Sequence, residues 1–210
     1  MSNLPFSEAA ENNKEPIARI LRDVFRDVRK VLEIGSGTGQ HAVYFGKGLP
    51  HLIWQTSDIA QNLNGISARL EAEATSNVLP PVALDVAIHP WPVSNVDAVF
   101  SANCVHIISW PDVEHMFRGV GECLAEGGLF CLYGPFKYGG DFTMASNARF
   151  DTWLKQNDPA SGIRDFEAID ALAEAQGLRF VEDYAMPANN QLLLWRRRSA
   201  TNGAMHESQG

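Results

Sequence analysis

Cysteine is scarce in this chain. There are three in 210 residues, Cys104, Cys123 and Cys131, widely spaced, with no C-x-x-C pair and no His/Cys cluster. Neither a disulfide scaffold nor a zinc site is therefore expected, nor any other metal. Positive charge is short as well: 17 Lys and Arg stand against 25 Asp and Glu, a formal charge of −8. A nucleic-acid partner is not expected, because phosphate binding needs a basic face. The one dense basic cluster, Arg196-Arg197-Arg198, reads as a solvated strand end. No apolar run approaches the roughly 20 residues of a membrane helix, and residues 1–14 are too polar and acidic for a signal peptide. A cytoplasmic protein without a membrane partner is expected. Internal repeats and domain boundaries are also missing, so residues 1–198 read as one domain. The small, polar residues 199–210 read as a disordered tail. Hydrophobic residues make up 45% of the chain, enough for a sizeable core.

What is present centres on Val31-Leu32-Glu33-Ile34-Gly35-Ser36-Gly37-Thr38-Gly39-Gln40. Val31, Leu32 and Ile34 read as a buried strand, ended by three glycines at alternate positions and followed by a helix. Such a turn presents bare backbone N–H groups to a ligand that approaches the main chain closely. A dinucleotide and S-adenosyl-L-methionine (SAM) both suit it. The dinucleotide fingerprint wants its third glycine where Gln40 stands. Glu33, two residues before the first glycine, better suits a ligand carrying an ammonium and a sulfonium. The stretch reads as a SAM loop.

Taken in order, the chain alternates strands and helices. Residues 7–15 are polar, read as a frayed terminus or a lid. Pro16 reads as the first turn of a helix carrying Ile17, Ile20, Leu21, Val24 and Val28. Residues 51–58 form a second predicted strand ending in Asp58. That acid stands roughly 20 to 25 residues past the loop, where a carboxylate accepts a ribose; Ser57 beside it is placed to share that role. After a helix over residues 66–74, a third strand over residues 79–86 carries Asp85 and Val86, where an acid can accept an adenine amino group. Residues 96–103 read as a buried parallel strand. Ser109 caps a helix that Gly127-Gly128 stop, and residues 129–133 form the fifth strand. Then come an aromatic, glycine-rich turn over residues 134–141 and one short helical turn at Phe150, Trp153 and Leu154. A helix capped by Asp165 and ended by Gly177 leads to an antiparallel pair over residues 178–185 and 191–196.

The glycine loop and the order of elements resemble the class I, Rossmann-like SAM-dependent methyltransferases. More narrowly, the chain resembles the family first catalogued as a domain of unknown function and now grouped with methyltransferase-like protein 26. The segments that carry this are residues 7–16, 32–41, 103–110 and 132–136, Ser146-Asn147, Phe150-Asp151, Asp158-Pro159, Gly162-Ile163-Arg164-Asp165 and Met186-Pro187-Ala188-Asn189-Asn190. They extend over residues 5–198. The resemblance implies an α/β fold with a seven-stranded, mostly parallel sheet, an antiparallel last strand and helices on both faces. It implies SAM as cofactor, S-adenosylhomocysteine as product, and cofactor contacts from Glu33, Gly35, Ser36, Gly37, Gly39, Asp58, Asp85, Val86 and Asn103. It also favours the lid reading of the N-terminal segment.

Methyl transfer is an in-line displacement in which alignment of the partners can contribute roughly 7–11 kcal/mol. A base adds a smaller factor. Ligands bind outside the carboxyl ends of the strands in such a sheet, so the loops after the fourth and fifth strands face the methyl group. Candidates for catalysis there are His106, Asn103 and Tyr133. His106 reads equally as a base, from its near-neutral ordinary pKa, or as a structural histidine. Tyr133 reads more readily as a wall. His106, Tyr133, Phe136, Tyr138, Asn12 and Lys14 are candidates for contact with a small-molecule acceptor. Two other readings stay open: a SAM-binding protein without transfer, and a nicotinamide-dependent oxidoreductase.

Overall fold

The computed structural model describes residues 4–199. Residues 1–3 lie outside it, as do residues 200–210, which hold almost all of the expected disordered tail. Seven strands form one sheet: β1 (Lys30–Ile34), β2 (Ile53–Asp58), β3 (Val78–Ala83), β4 (Val96–Ala102), β5 (Leu124–Gly134), β9 (Leu178–Met186) and β10 (Asn190–Arg197), in the order β3-β2-β1-β4-β5-β10-β9. β1 pairs in parallel with β2 and β4, β4 with β5, and β2 with β3. β10 runs antiparallel to both of its neighbours. This is the seven-stranded α/β architecture expected from the sequence.

Helix α1 (Glu8–Val24) precedes β1, α2 (Gln40–Gly48) and α3 (Leu63–Glu73) follow β1 and β2, and α5 (Trp110–Cys123) and α7 (Phe166–Ala175) follow later strands. Ile17, Leu21 and Phe45 close one face over Phe100 and Cys131. Phe117, Val120 and Ile169 close the other over Phe130 and Trp195. The chain winds outward from β1 to β3 and returns to β4 on the other side of β1. The loops after β1 and β4 therefore open the crevice where the winding direction reverses, and ligands settle in such crevices.

Four expectations are corrected. The first helix begins at Glu8 and not at Pro16. Ser7 caps it by accepting the Ala10 N–H at 3.2 Å, and Pro16 lies well inside it. The carbonyl of Asn12, left without the proline's N–H, belongs to an exposed residue that water can reach. Gly127-Gly128 do not stop α5, which ends at Cys123; they sit within β5 where its pairing with β4 shifts register. The supposed short turn near Phe150 is a full helix, α6 (Ala145–Asn157). Its buried face is Asn147, Asp151 and Leu154, while Phe150 and Trp153 are exposed, so apolar periodicity missed it. Asp165 precedes α7 without making a side-chain cap. Unforeseen was a small sheet of β6 (Phe136–Tyr138), β7 (Asp141–Phe142) and β8 (Arg164–Asp165) beyond β5. A four-residue helix, α4 (Cys104–Ile107), follows β4.

Packing on the second face is tight at Gly119, where an added Cβ would come within 2.1 Å of the Trp91 ring. Gly119→Ala should cost about 1–3 kcal/mol of stability through overpacking. Urea denaturation should show a lower midpoint at unchanged slope.

Candidate cofactor and acceptor site

β1 ends in Gly35, Gly37 and Gly39 at φ +73°, +57° and +74°. Such values favour glycine at all three positions. Side chains hold the turn from beneath. Ser36 Oγ donates to Glu33 at 2.8 Å and accepts the Ser57 N–H at 3.1 Å. Asp58 accepts the Gly37 N–H at 2.7 Å through one oxygen, and Ile59 N–H and the Asn62 amide, both at 2.8 Å, through the other. Arg69 donates to the Thr38 carbonyl at 2.7 Å and to the Pro5 carbonyl at 2.5 Å. A Cβ on Gly37 would meet nothing closer than 4.0 Å. The glycine whose conformation the turn requires thus faces open space, a cradle for a ligand that lies on the backbone.

Glu33 is 2% exposed and also accepts from the Trp54 indole at 3.0 Å. Burial raises its pKa to about 7, with the two hydrogen bonds opposing and the Asp58 charge reinforcing the shift. Asp85 is exposed after β3, with one oxygen accepting the Ala87 N–H at 3.0 Å, and Val86 is buried next to it. Ser57 is fully buried and donates to the Glu33 carbonyl at 2.6 Å. Its hydroxyl is engaged within the sheet, and the expectation that it shares a ribose with Asp58 is dropped.

The loop after β4 meets this turn. Asn103 has φ +61°, and its N–H donates to the Tyr133 carbonyl at 2.8 Å. Cys104 lies against Gly35, its Sγ 3.3 Å from where a Cβ would stand. Burial pushes this thiol up to about 12, so it stays protonated. His106 is 1% exposed, and neither ring nitrogen has a hydrogen-bond partner among the described residues. Phe136 packs edge-on to it, with ring centroids 5.2 Å apart, and Gly134 faces it across the strand end. Burial drives the His106 pKa down to about 3, with the Arg164 charge adding to the effect and the Gly162 backbone and Asp151 opposing it.

Glu33, the three glycines, Asp58, Asn103, His106, Tyr133, Gly134 and Phe136 thus lie at or just beyond the neighbouring ends of β1, β2, β4 and β5. Others fall elsewhere. The Tyr138 hydroxyl donates to Asp183 at 2.5 Å and its ring stacks on Phe166, which turns it toward β9 and α7 and away from His106. Helix α1 leaves Asn12 exposed and sends Lys14 outward over the Tyr44 ring, 5.0 Å from its centroid. Lys14 there lines a cleft of about 560 Å³ with Phe6, Tyr44, Lys47 and Arg69. None of the strand-end residues lines that cleft.

Sequence reasoning missed several groups. Asn13, 8% exposed, accepts a hydrogen bond from His41 Nε2 at 2.6 Å. It stands four residues before Ile17, so carrying the helical pattern back through Pro16 would have found it. Gln40 accepts the Ser7 N–H at 2.6 Å and donates to Glu11 at 3.1 Å. Asn147 on α6 donates to the Asn189 carbonyl at 3.0 Å, and Asn189 donates to Ser146 Oγ at 3.2 Å, which joins two motif segments distant in sequence. Arg164 donates to the carbonyls of Val105 and Ile108, bracing the short helix that carries His106.

This sheet order, with a glycine turn after its first strand, defines a Rossmann-like methyltransferase fold, and solved structures bear this out. An O-methyltransferase family protein from Burkholderia thailandensis superposes with a TM-score of 0.80 at 16% identity, covering 92% of this chain and 58% of its own. Human N-acetylserotonin methyltransferase in complex with SAM gives 0.76 at 14%, over 91% and 53%. An O-methyltransferase family 2 protein from Planctomyces limnophilus in complex with apigenin gives 0.71 at 15%, over 88% and 61%. The chain spans little more than half the length of these proteins. Residues 4–197 match the family described as "Protein of unknown function (DUF938)", and the chain belongs to that family.

Glu33 makes one consequence measurable without a ligand. Its folded pKa of about 7 lies above the ordinary 4.5, so the unfolded chain ionises first. Its contribution to stability is full below about pH 4.5 and is lost as pH rises through about 7. Glu33→Gln should flatten the fall in stability across that window, as read by denaturation at a series of pH values.

Proposed function

We propose that this protein is a SAM-dependent methyltransferase acting on a small molecule by in-line methyl transfer. The observation that carries the reading is the left-handed glycine turn, open at Gly37 and flanked by the Glu33 and Asp58 carboxylates, at the reversal of a methyltransferase-type sheet. The residues fit the cofactor. Gly35, Gly37 and Gly39 would face its amino-acid portion with Glu33 beneath, while Asp58, with Asp85 beyond it, would take the ribose and adenine. When bound, SAM supplies a methyl group already activated on a sulfonium. The chain then has to exclude water and align the acceptor, which Asn103, Tyr133 and Phe136 do from the ends of β4 and β5. His106 serves this reading as a neutral, buried wall residue. A group whose pKa lies near 3 takes up a proton poorly at neutral pH.

The small acceptor is supported by the net charge of −8 and by the O-methyltransferases among the structural neighbours. The closer kinship with methyltransferase-like protein 26 and a cytoplasmic setting are part of the same proposal. No helix among the described residues is long and apolar enough to cross a membrane, and no cluster of metal-binding side chains occurs among them.

Calorimetry with SAM, S-adenosylhomocysteine and NAD is the first test. SAM and S-adenosylhomocysteine should bind, and binding of NAD alone would overturn the assignment. Gly37→Val, which fills the cradle and cannot relax at φ +57°, should abolish SAM binding while the fold persists by circular dichroism. Release of S-adenosylhomocysteine on adding a small-molecule metabolite extract, with the product found by mass spectrometry, tests transfer itself. Cofactor binding should also depend on pH. A cationic ligand favours ionised Glu33, so binding should release a proton, and affinity should rise between about pH 6 and pH 8 before levelling. Glu33→Gln should remove that rise.

A further inference from the structure

Helix α4 is too short to hold itself. Its four residues, Cys104–Ile107, make barely one turn, and a single turn is unstable without outside restraint. The carbonyls from Val105 to the C-cap, Ile108, have no partner within so short a helix. All four are taken by one distant segment, residues 161–164. Arg164 Nε donates to the Val105 carbonyl at 2.9 Å, and its Nη2 donates to the Ile108 carbonyl at 2.6 Å. Between them the Gly162 N–H donates to the His106 carbonyl at 2.9 Å, and Ser161 Oγ donates to the Ile107 carbonyl at 2.6 Å. A guanidinium suits this task, because its planar fork reaches two carbonyls at once and a cation is favoured at a helix C-terminus.

The segment is itself fixed from two sides. The Ile163 N–H donates to Asp151 Oδ1 of α6 at 2.8 Å, and a Cβ on Gly162 would stand 3.0 Å from that oxygen. Arg164 pairs with Phe136 in the small sheet, and the Phe136 ring packs on His106. At its other end α4 meets the candidate site. The Asn103 N–H donates to the Tyr133 carbonyl at 2.8 Å, and Cys104 Sγ lies 3.3 Å from where a Gly35 Cβ would stand.

We infer that Arg164 is a positioning residue for methyl transfer. With Ser161 and Gly162 it sets where α4 lies, and so where Asn103 and His106 stand on the acceptor side. The glycine turn keeps its own shape through Ser36 and Asp58. The inference rests on the methyltransferase reading, and it assigns the segment after α6 a part in alignment that cofactor binding does not need.

Arg164→Lys keeps the cation but cannot serve both carbonyls. Release of S-adenosylhomocysteine at saturating SAM in one fixed metabolite extract, counted per SAM-binding site, should fall about 10- to 100-fold. That is the scale of a displacement approaching about 1 Å. The SAM Kd from calorimetry should stay at the wild-type value. Ser161→Ala, which frees one carbonyl, should show a smaller fall. Gly119→Ala, which strains the core at Trp91, should keep the wild-type rate per site. A second readout needs no acceptor. Cys104 should react with a small maleimide roughly tenfold faster in Arg164→Lys than in the wild type, because α4 opens more often. Cys123 and Cys131, both buried in the core, are internal controls when labelling is followed site by site by mass spectrometry.

A wild-type rate in Arg164→Lys would overturn the inference. So would an equal fall in Gly119→Ala, a SAM Kd weakened in step with the rate, or unchanged Cys104 reactivity in Arg164→Lys. If Arg164→Lys does not fold, Ser161→Ala decides by the same readouts. Failure of the wild type to bind SAM, or to release S-adenosylhomocysteine in the extract, would instead bring down the functional reading, and this inference with it.

Discussion

A turn built from left-handed residues holds itself poorly. Within this loop the Gly39 N–H donates to the Ser36 carbonyl at 2.8 Å; its other restraints come from outside. Glu33 and Trp54 fix Ser36, Asp58 holds the Gly37 N–H, and Arg69 grips the Thr38 carbonyl. β1 and β2 are thus joined by side chains at the point where their backbone pairing ends. Three glycines would otherwise forfeit more conformational entropy than any other residues on folding. The acids that a ligand would meet are the same ones that shape the turn, so shape and recognition are not separable here.

Gln40 shows how this arrangement differs from a dinucleotide site. There a third glycine lets the helix pack closely on the strand. Here the position carries an amide that bridges Ser7 and Glu11 of α1, while Arg69 reaches Pro5 and His41 reaches Asn13. Four hydrogen bonds from Gln40, His41 and Arg69, in the helices that flank the loop, thus run to the N-terminal segment. That segment is polar because it faces polar partners, and not because it frays. Composition alone suits a loose end as well as a lid, since a list of polar residues does not say what lies across from them.

Where the sequence was legible, a local rule sufficed. Glycine spacing marked the turn, strand-end acids followed alternating apolar runs, and continuous apolar strands marked a parallel sheet. What escaped depended on contacts between distant segments. Asn147 and Asp151 form the buried face of α6 because Asn189 and the Ile163 N–H lie across from them. An apolar count along the helix pointed instead at Phe150 and Trp153, which face outward. Tyr138 was read as a neighbour of His106 from its place in a glycine-rich turn. Pairing of β6 with β8 instead carries it toward Asp183. Asp85 lies just past the strand to which it was assigned, an ordinary error at an element boundary.

The state of the titratable groups bears on how such a site can work. His106 is neutral, Cys104 and Tyr133 keep their protons, and Glu33 stands near the midpoint of its titration at neutral pH. At the ends of β4 and β5 the crevice therefore carries little charge, and its carboxylates lie on the side of the glycine turn. On the proposed reading a ligand with an ammonium and a sulfonium would be drawn toward that side, with its methyl group toward the neutral one. Neutral surroundings suit a displacement in which positive charge is dispersed as the bond to sulfur lengthens, because no fixed charge there has to be desolvated or repaid. In the proposed transfer alignment would then carry the greater share of catalysis, and the Arg164 braces on the short helix of His106 would serve it.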